Sequence, residues 1–355
     1  MKDIGYMAIP PGAIIPGILP EFRIYMLSNK GKYILWALEG NKVSQEQLAR
    51  LSESGIKEVF VDLEEKFKYE QYLETNLGKI LDNQWSPDDQ KASIFSKVST
   101  NVVRNAFETS LGMGLMDSSA LQRTEIMVNN ALIFMRESKS IEALAKMIGH
   151  DYQTYEHATK VLWLTVAFLS NNPDIAERIQ PDFQTFTEKQ KTEMLEQCGV
   201  GALLHDIGKA FVSQEILNKN GAFTEVEWEV MRRHPLNGLA MLLDSELPLF
   251  VKKAILHHHE DFNGKGYPMG LEGTNINILA RVLRIIDTFD AMTSRRPYKA
   301  PLSPGKTVKI MIGTPDAEGA GGSEPGDRDQ GMRRCFDEEL LRKFILFLGN
   351  VNLNR

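Results

Sequence analysis

The chain has 355 residues, a formal net charge of −6, 43% hydrophobic and 25% charged residues, and two cysteines, Cys198 and Cys335. That length suits two or three globular domains and excludes a disordered or fibrous chain. The acidic balance argues against general nucleic-acid binding, so DNA is not an expected partner. Two cysteines exclude a disulfide framework and point to a reducing cytoplasm.

The first 25 residues contain Pro10, Pro11, Pro16 and Pro20 and lack a basic stretch ahead of an apolar run, so no signal peptide or membrane anchor is expected. The longest apolar run, about Val161 to Leu169, falls short of the roughly 20 residues a bilayer requires. Residues 1–75 read as a small α+β domain. Ile24–Leu27, a turn over Ser28–Gly31 and Tyr33–Leu38 predict a hairpin. Ser44 with Gln47 predicts a capping box opening a short helix that ends near Gly55, and Val59–Val61 a further strand. This domain either packs and dimerises or senses a signal, and it carries no ligand signature.

Residues 76–149 read as a helical connector. Val98, Val102, Val103 and Phe107 recur at helical spacing, as do Met127, Ala131, Leu132 and Met135, then Ile141, Leu144, Ala145 and Ile148. Breaks fall at 85–89 and at Gly112–Gly114. Residues 150–355 are again mostly helical. Helices are predicted from Asp151 or Thr154 to about Leu169, from Thr187 to Gly199, across Leu203–Asp206, from Thr224 to His234-Pro235, and over 249–257, 278–292 and 338–348. Asp316–Gly331 contains five glycines and no large apolar residue, and predicts a flexible insertion. It reads as a passive surface loop rather than a lid.

All seven histidines lie between residues 150 and 259. His205-Asp206 alone is a weak sign of metal, and His234 alone could be a helix-end residue favoured by the dipole. His257-His258-His259-Glu260 is harder to explain as core or surface, because neutral imidazole is the commonest transition-metal ligand. Asp287 and Asp290 share one face of an otherwise apolar helix, where a carboxylate needs a cationic or metal partner. His157, His205, His234, His258 and His259 with Asp206 and Asp287 offer five imidazoles and two carboxylates. That set is too large for one tetrahedral ion and suits two ions bridged by a carboxylate, the usual arrangement for phosphoester hydrolysis.

His205-Asp206-Ile207-Gly208-Lys209, His234-Pro235, His258-His259-Glu260 and Gly264-Lys265-Gly266-Tyr267-Pro268 resemble the HD-GYP family of cyclic di-GMP phosphodiesterases, within the HD metal-hydrolase superfamily. The resemblance covers about 150–315 and resumes over 336–348. It implies a mainly α fold, with a C-terminal helical HD-domain bundle after the small α+β domain. It implies that His157, His205, Asp206 and Asp287 hold a first metal, and that Asp206 bridges to a second held by His234, His258 and His259. Lys209 matches the lysine at the scissile phosphate, acting by electrostatic help or by protonating the leaving oxygen rather than as a base. Tyr267, Arg296 and Lys299 match residues around the substrate, and Asp290 is expected to orient the loop of Arg296 and Lys299 at the substrate pocket.

The implied activity is hydrolysis of cyclic di-GMP to pGpG through a two-metal-activated hydroxide, with complete hydrolysis to GMP in doubt. Cofactors are two divalent ions, iron or manganese first, with nickel and zinc also suited to such a site. Some members hold a third metal through a Glu four residues before the first histidine. Here that residue is Gln153, with His150 and Asp151 as weak substitutes, so two metals are expected. Asp261 and Asn263 depart from the usual residues before the GYP loop, which bears on protein partners of that loop. The alternatives are another cyclic or linear dinucleotide as substrate (cyclic GMP-AMP or pGpG), or a nucleotide-binding module with little turnover. The helical connector allows a homodimer.

Overall fold

The computed structural model describes residues 5–18, 20–83, 86–134, 154–219, 221–294, 300–313 and 332–350. The chain divides into two compact units, Met1–Val98 and Ser99–Arg355.

The first unit is built on four antiparallel strands: β1 (Tyr6–Ile9), β2 (Ile24–Leu27), β3 (Tyr33–Ala37) and β4 (Val59–Asp62), in the order β1-β4-β2-β3. The hairpin predicted at 24–38 forms, with Tyr25 opposite Leu35 and Leu27 opposite Tyr33. The Ser28 carbonyl accepts from the Gly31 N–H to close its turn. Helix α1 (Gln45–Glu53) opens on the predicted box: the Ser44 N–H donates to the Gln47 side chain, and the Gln47 N–H to the Ser44 hydroxyl. Helices α2 (Lys66–Thr75) and α3 (Leu77–Leu81) follow. Phe22 meets the rings of Tyr69 and Tyr72 edge-on, within a core of Ile9, Ile24, Val59, Val61 and Leu73. Strand β1 and helix α2 were not expected from the sequence.

Helix α4 (Asp88–Met113) begins in the first unit and ends in the second. The sequence partition at 75 and 149 therefore differs from the compact units, whose division falls inside one helix. Lys97, in that helix, lies over the Tyr69 ring at 5.3 Å, which ties its first turns to the α2 side of the division.

Among the described residues of the second unit, the further helices are α5 (Ser118–Phe134), α6 (Thr154–Asn171), α7 (Pro173–Ile179), α8 (Glu188–Leu204), α9 (Gln214–Leu217), α10 (Glu225–Arg232), α11 (His234–Met241), α12 (Leu249–His257), α13 (Ile278–Thr293), α14 (Pro304–Ile312) and α15 (Glu338–Asn350). Capping boxes at Thr187–Gln190 and Thr224–Glu227 start α8 and α10. Helix α8 packs on α5, α6 and α12, while α13 packs on α6 and α12.

One expectation is corrected. The sequence suggested a helix ending at Gly199 and another carrying 203–206, but α8 runs unbroken to Leu204. Gly199 is there for close packing and not as a stop: a Cβ at that position would come within 2.7 Å of Val128 and 2.9 Å of Leu162. Among the described residues, no helix is long and apolar enough to cross a membrane. The predicted insertion at 316–331 and the apolar positions from Met135 to Ile148 lie outside the described residues.

Candidate metal centre

Five segments of the second unit deliver the polar side chains. At the end of α8 the chain turns through His205 and Asp206 into a 3-10 turn, Ile207–Phe211. Gly208 lets that turn lie against α11: a Cβ there would sit 2.0 Å from the His234 carbonyl oxygen and 2.4 Å from the Gly238 nitrogen. Pro235, just inside α11, has no N–H to continue α10, so the chain bends at His234. His258 caps α12, His157 comes from α6, and Asp287 and Asp290 come from α13.

Two groups of ligand-type atoms result: His157, His205 and Asp287, and Asp206, His234, His258 and His259. Asp206 faces both. Its Oδ2 lies 3.4 Å from His205 Nε2, and its Oδ1 lies 3.2 Å from His234 Nε2 and 3.8 Å from His258 Nε2. His157 Nε2 is 3.0 Å from Asp287 Oδ1, and His259 Nδ1 is 4.0 Å from Asp287 Oδ2.

The imidazoles are oriented from behind. Nδ1 of His205, His234 and His258 meets the carbonyl oxygen three residues earlier, of Ala202, Met231 and Ile255, at 2.7, 2.8 and 2.6 Å. A carbonyl only accepts, so each Nδ1 carries the proton and each Nε2 presents a lone pair inward. His157 is held differently, with Nδ1 at 2.7 Å from Asp290 Oδ2 and Nε2 facing Asp287.

A divalent cation fits this donor set. His205 Nε2 and Asp206 Oδ1 are buried and have no hydrogen-bond partner among the described residues, a costly state that a cation relieves. Mixed imidazole and carboxylate donors suit first-row transition metals.

The charges agree. Burial pushes the Asp206 carboxyl up, but Lys209, then His205 and His234, outweigh it and hold the group well below the usual range. Burial raises Asp287 too, and its hydrogen bond with His157 outweighs this and holds it well below the usual range. Burial lowers His258 to about 4 and, with His258 and His234 as neighbours, lowers His259 well below the ordinary imidazole value. Both carboxylates are therefore ionised and both of these imidazoles neutral at pH 7, as ligands must be.

Lys209 Nζ lies 2.5 Å from Asp206 Oδ2. Tyr267 stacks on His259, with ring centres 4.8 Å apart, and burial pushes its phenol up, so it stays protonated. His257, the remaining helix-end histidine, turns away and accepts from the Asn277 N–H. Arg296, Lys299, Gln153, His150 and Asp151 lie outside the described residues.

Asp290 lies behind His157 and meets the loop it is expected to orient through Ser294. It is fully buried, accepts from the Ser294 hydroxyl and holds His157. Its carboxylate thus joins the His157 ring to the start of the following loop at Ser294. Asp290→Ala should lower Mn(II) affinity by about 10- to 100-fold, read by metal titration.

Two further contributors were missed. Glu260 accepts from the N–H groups of Met269 and Leu271, folding the Gly264–Pro268 loop over the site. Arg284 points Nε and Nη2 at a single oxygen, Asp261 Oδ1, at 2.9 and 2.8 Å, and donates from Nη1 to the Thr288 hydroxyl. Burial would lower its charge, but Asp261 outweighs this, keeping a fixed cation near Asp287. Arg284 could have been suspected as a cation on a largely apolar helix, one turn before Asp287.

A family model described as HD domain matches residues 126–316. The chain belongs to the HD domain family. Among relatives of this HD domain protein is the cyclic di-GMP phosphodiesterase PA4108 of Pseudomonas aeruginosa, 29% identical, with the match covering 76% of this chain and 63% of that protein. A cyclic di-GMP phosphodiesterase of Thermotoga maritima is 37% identical over 42% of this chain and 37% of its own. The 3'3'-cGAMP-specific phosphodiesterase 3 of Vibrio cholerae is 37% identical over 31% of this chain and 24% of its own. The match thus spans less than two thirds of each of these relatives. In structure, the HD domain protein is similar to Bd1817, a HDG"Y"P protein of Bdellovibrio bacteriovorus, with a TM-score of 0.58, 17% identity, and coverage of 97% of this chain and 100% of that one. That likeness concerns the fold.

Proposed function

We propose that this protein is a metal-dependent phosphodiesterase that hydrolyses cyclic di-GMP to pGpG in the cytoplasm. The observation that carries the reading is Asp206, whose two oxygens face two separate groups of inward-pointing imidazoles. In the proposal, His157, His205, Asp206 and Asp287 hold one ion, and Asp206, His234, His258 and His259 hold the other. Two such ions would supply an activated water and screen the charge of the phosphodiester. Iron or manganese is proposed on the family resemblance. The names of the relatives support a cyclic dinucleotide as substrate.

The chain's own groups then have defined tasks. The backbone carbonyls and Asp290 keep the imidazoles turned inward. Lys209, an ammonium beside Asp206, screens the phosphoryl oxygens or gives its proton to the departing ribose oxygen. Tyr267 keeps its proton and offers it as a hydrogen-bond donor to the bound dinucleotide. Arg284 and Glu260 fix the loop that carries Tyr267. Arg296 and Lys299 complete the proposed substrate contacts, with arginine suited to a two-pronged phosphate contact. A homodimer, and a protein partner for the loop, belong to the same proposal.

The test is product analysis. Full-length protein loaded anaerobically with Fe(II) or Mn(II) should convert cyclic di-GMP to linear pGpG. Cyclic GMP-AMP and pGpG run alongside define substrate choice. No product from any of the three, in either metal, overturns the reading and leaves a nucleotide-binding module.

A further inference from the structure

The first unit contains a cavity of about 370 Å³ between the turn after β1, helix α1 and the start of α4. Its size falls within the range of small-molecule sites, roughly 300–1,000 Å³. Every lining residue belongs to Met1–Val98, so the cavity is a property of this unit alone.

The lining has a definite chemistry. Ile14, Leu48 and Ile56 contribute apolar walls together with several prolines. The polar part consists of carboxamides, including Asn83 and Gln90, and of Lys57. Lys57 is the only charged lining residue, and no ion pair to it is formed among the described residues. The lining has no acid that would repel an anion and no aromatic ring on which a nucleobase would stack. A phosphate dianion would call for arginine or several cations, and one lysine does not match it.

A second feature lies beside the cavity. The Ser86 hydroxyl is 5% exposed and has no hydrogen-bond partner among the described residues. It sits 2.5 Å from where a Cβ on Gly12 would be, and Gly12 lines the cavity. An acceptor reaching past Gly12 would relieve this unsatisfied donor.

We propose that this cavity binds a small aliphatic monocarboxylate. The chain lies along Ile14, Leu48 and Ile56, and the carboxylate meets Lys57 and the carboxamides. This gives the first unit a ligand site separate from the histidine-rich centre, in the part of the chain where the sequence shows no ligand motif.

Calorimetric titration of the full chain with sodium octanoate, kept below its micelle concentration, tests this. Saturable one-to-one binding is expected. Ala49→Trp, at an exposed lining position, should abolish it by filling the cavity. Lys57→Glu, also exposed, should weaken it about tenfold, since an attraction becomes a repulsion. 1-Octanol should bind more weakly than octanoate. No saturable binding overturns the proposal, as does equal affinity in wild type and Lys57→Glu, or octanol binding as tightly as octanoate. If Ala49→Trp does not fold, the lysine variant and the alcohol still decide.

Discussion

Asp206→Asn should reduce turnover of cyclic di-GMP by at least about 10³-fold while leaving the fold in place. The side chain keeps its shape, so the packing around a group that is 1% exposed is preserved. The charge facing both groups of imidazoles is lost, together with the partner of Lys209. Metal ions contribute several kcal/mol of transition-state stabilisation in such sites, and each 1.36 kcal/mol is tenfold in rate. Bound metal per chain, measured on the same sample, should fall. Turnover that survives with full metal content would place the chemistry elsewhere.

Gly208→Ala should be nearly as damaging, although glycine offers no functional group. The new methyl would collide with the His234 carbonyl oxygen and the Gly238 nitrogen, both main-chain atoms that cannot rotate away. The 3-10 turn and α11 must separate, at a cost of about 1–3 kcal/mol or more in stability. That movement also draws Asp206 away from His234, now 3.2 Å apart. A displacement of about 1 Å at a reacting centre can cost on the order of 10²-fold in rate. The expected result is a lower melting temperature with at least a hundredfold loss of activity. Retained activity with lowered stability would mean that the spacing of these two ligands is not critical.

Much of the helical plan is legible because local signals coincide. Thr187 with Gln190 and Thr224 with Glu227 announce helix starts that the backbone confirms. The apolar stretch 249–257 is bounded by Pro248 and the histidine run, and the helix keeps those limits. Misreadings came where a residue serves a distant neighbour. Gly199 looks like a terminator until Val128 and Leu162 are seen against it. Strand β1 is only four residues long, and its pairing with β4 is a long-range fact.

The same distinction holds at the centre. The ligand-type residues are conspicuous by type and spacing. The contact of Asp290 with His157 spans 133 residues, and that of Arg284 with Asp261 joins a helix to a loop. No periodicity encodes such pairs. The cavity in the first unit is equally silent, since it is made of ordinary aliphatic side chains brought together by folding.

The way the imidazoles are held has a consequence for how metal would be taken up. A site whose ligands must shed protons competes with acid for its metal, and its affinity climbs steeply with pH. Here His258 is neutral down to about pH 4, His259 is lowered by burial, and Asp206 and Asp287 are already ionised. Nδ1 of His205, His234 and His258 is held against main-chain carbonyls. These four groups therefore contribute almost nothing to a proton count of uptake near neutrality. Burial and neighbouring charges thus ready these four groups for a cation before any ion arrives, so the folded chain, and not the ion, sets their protonation.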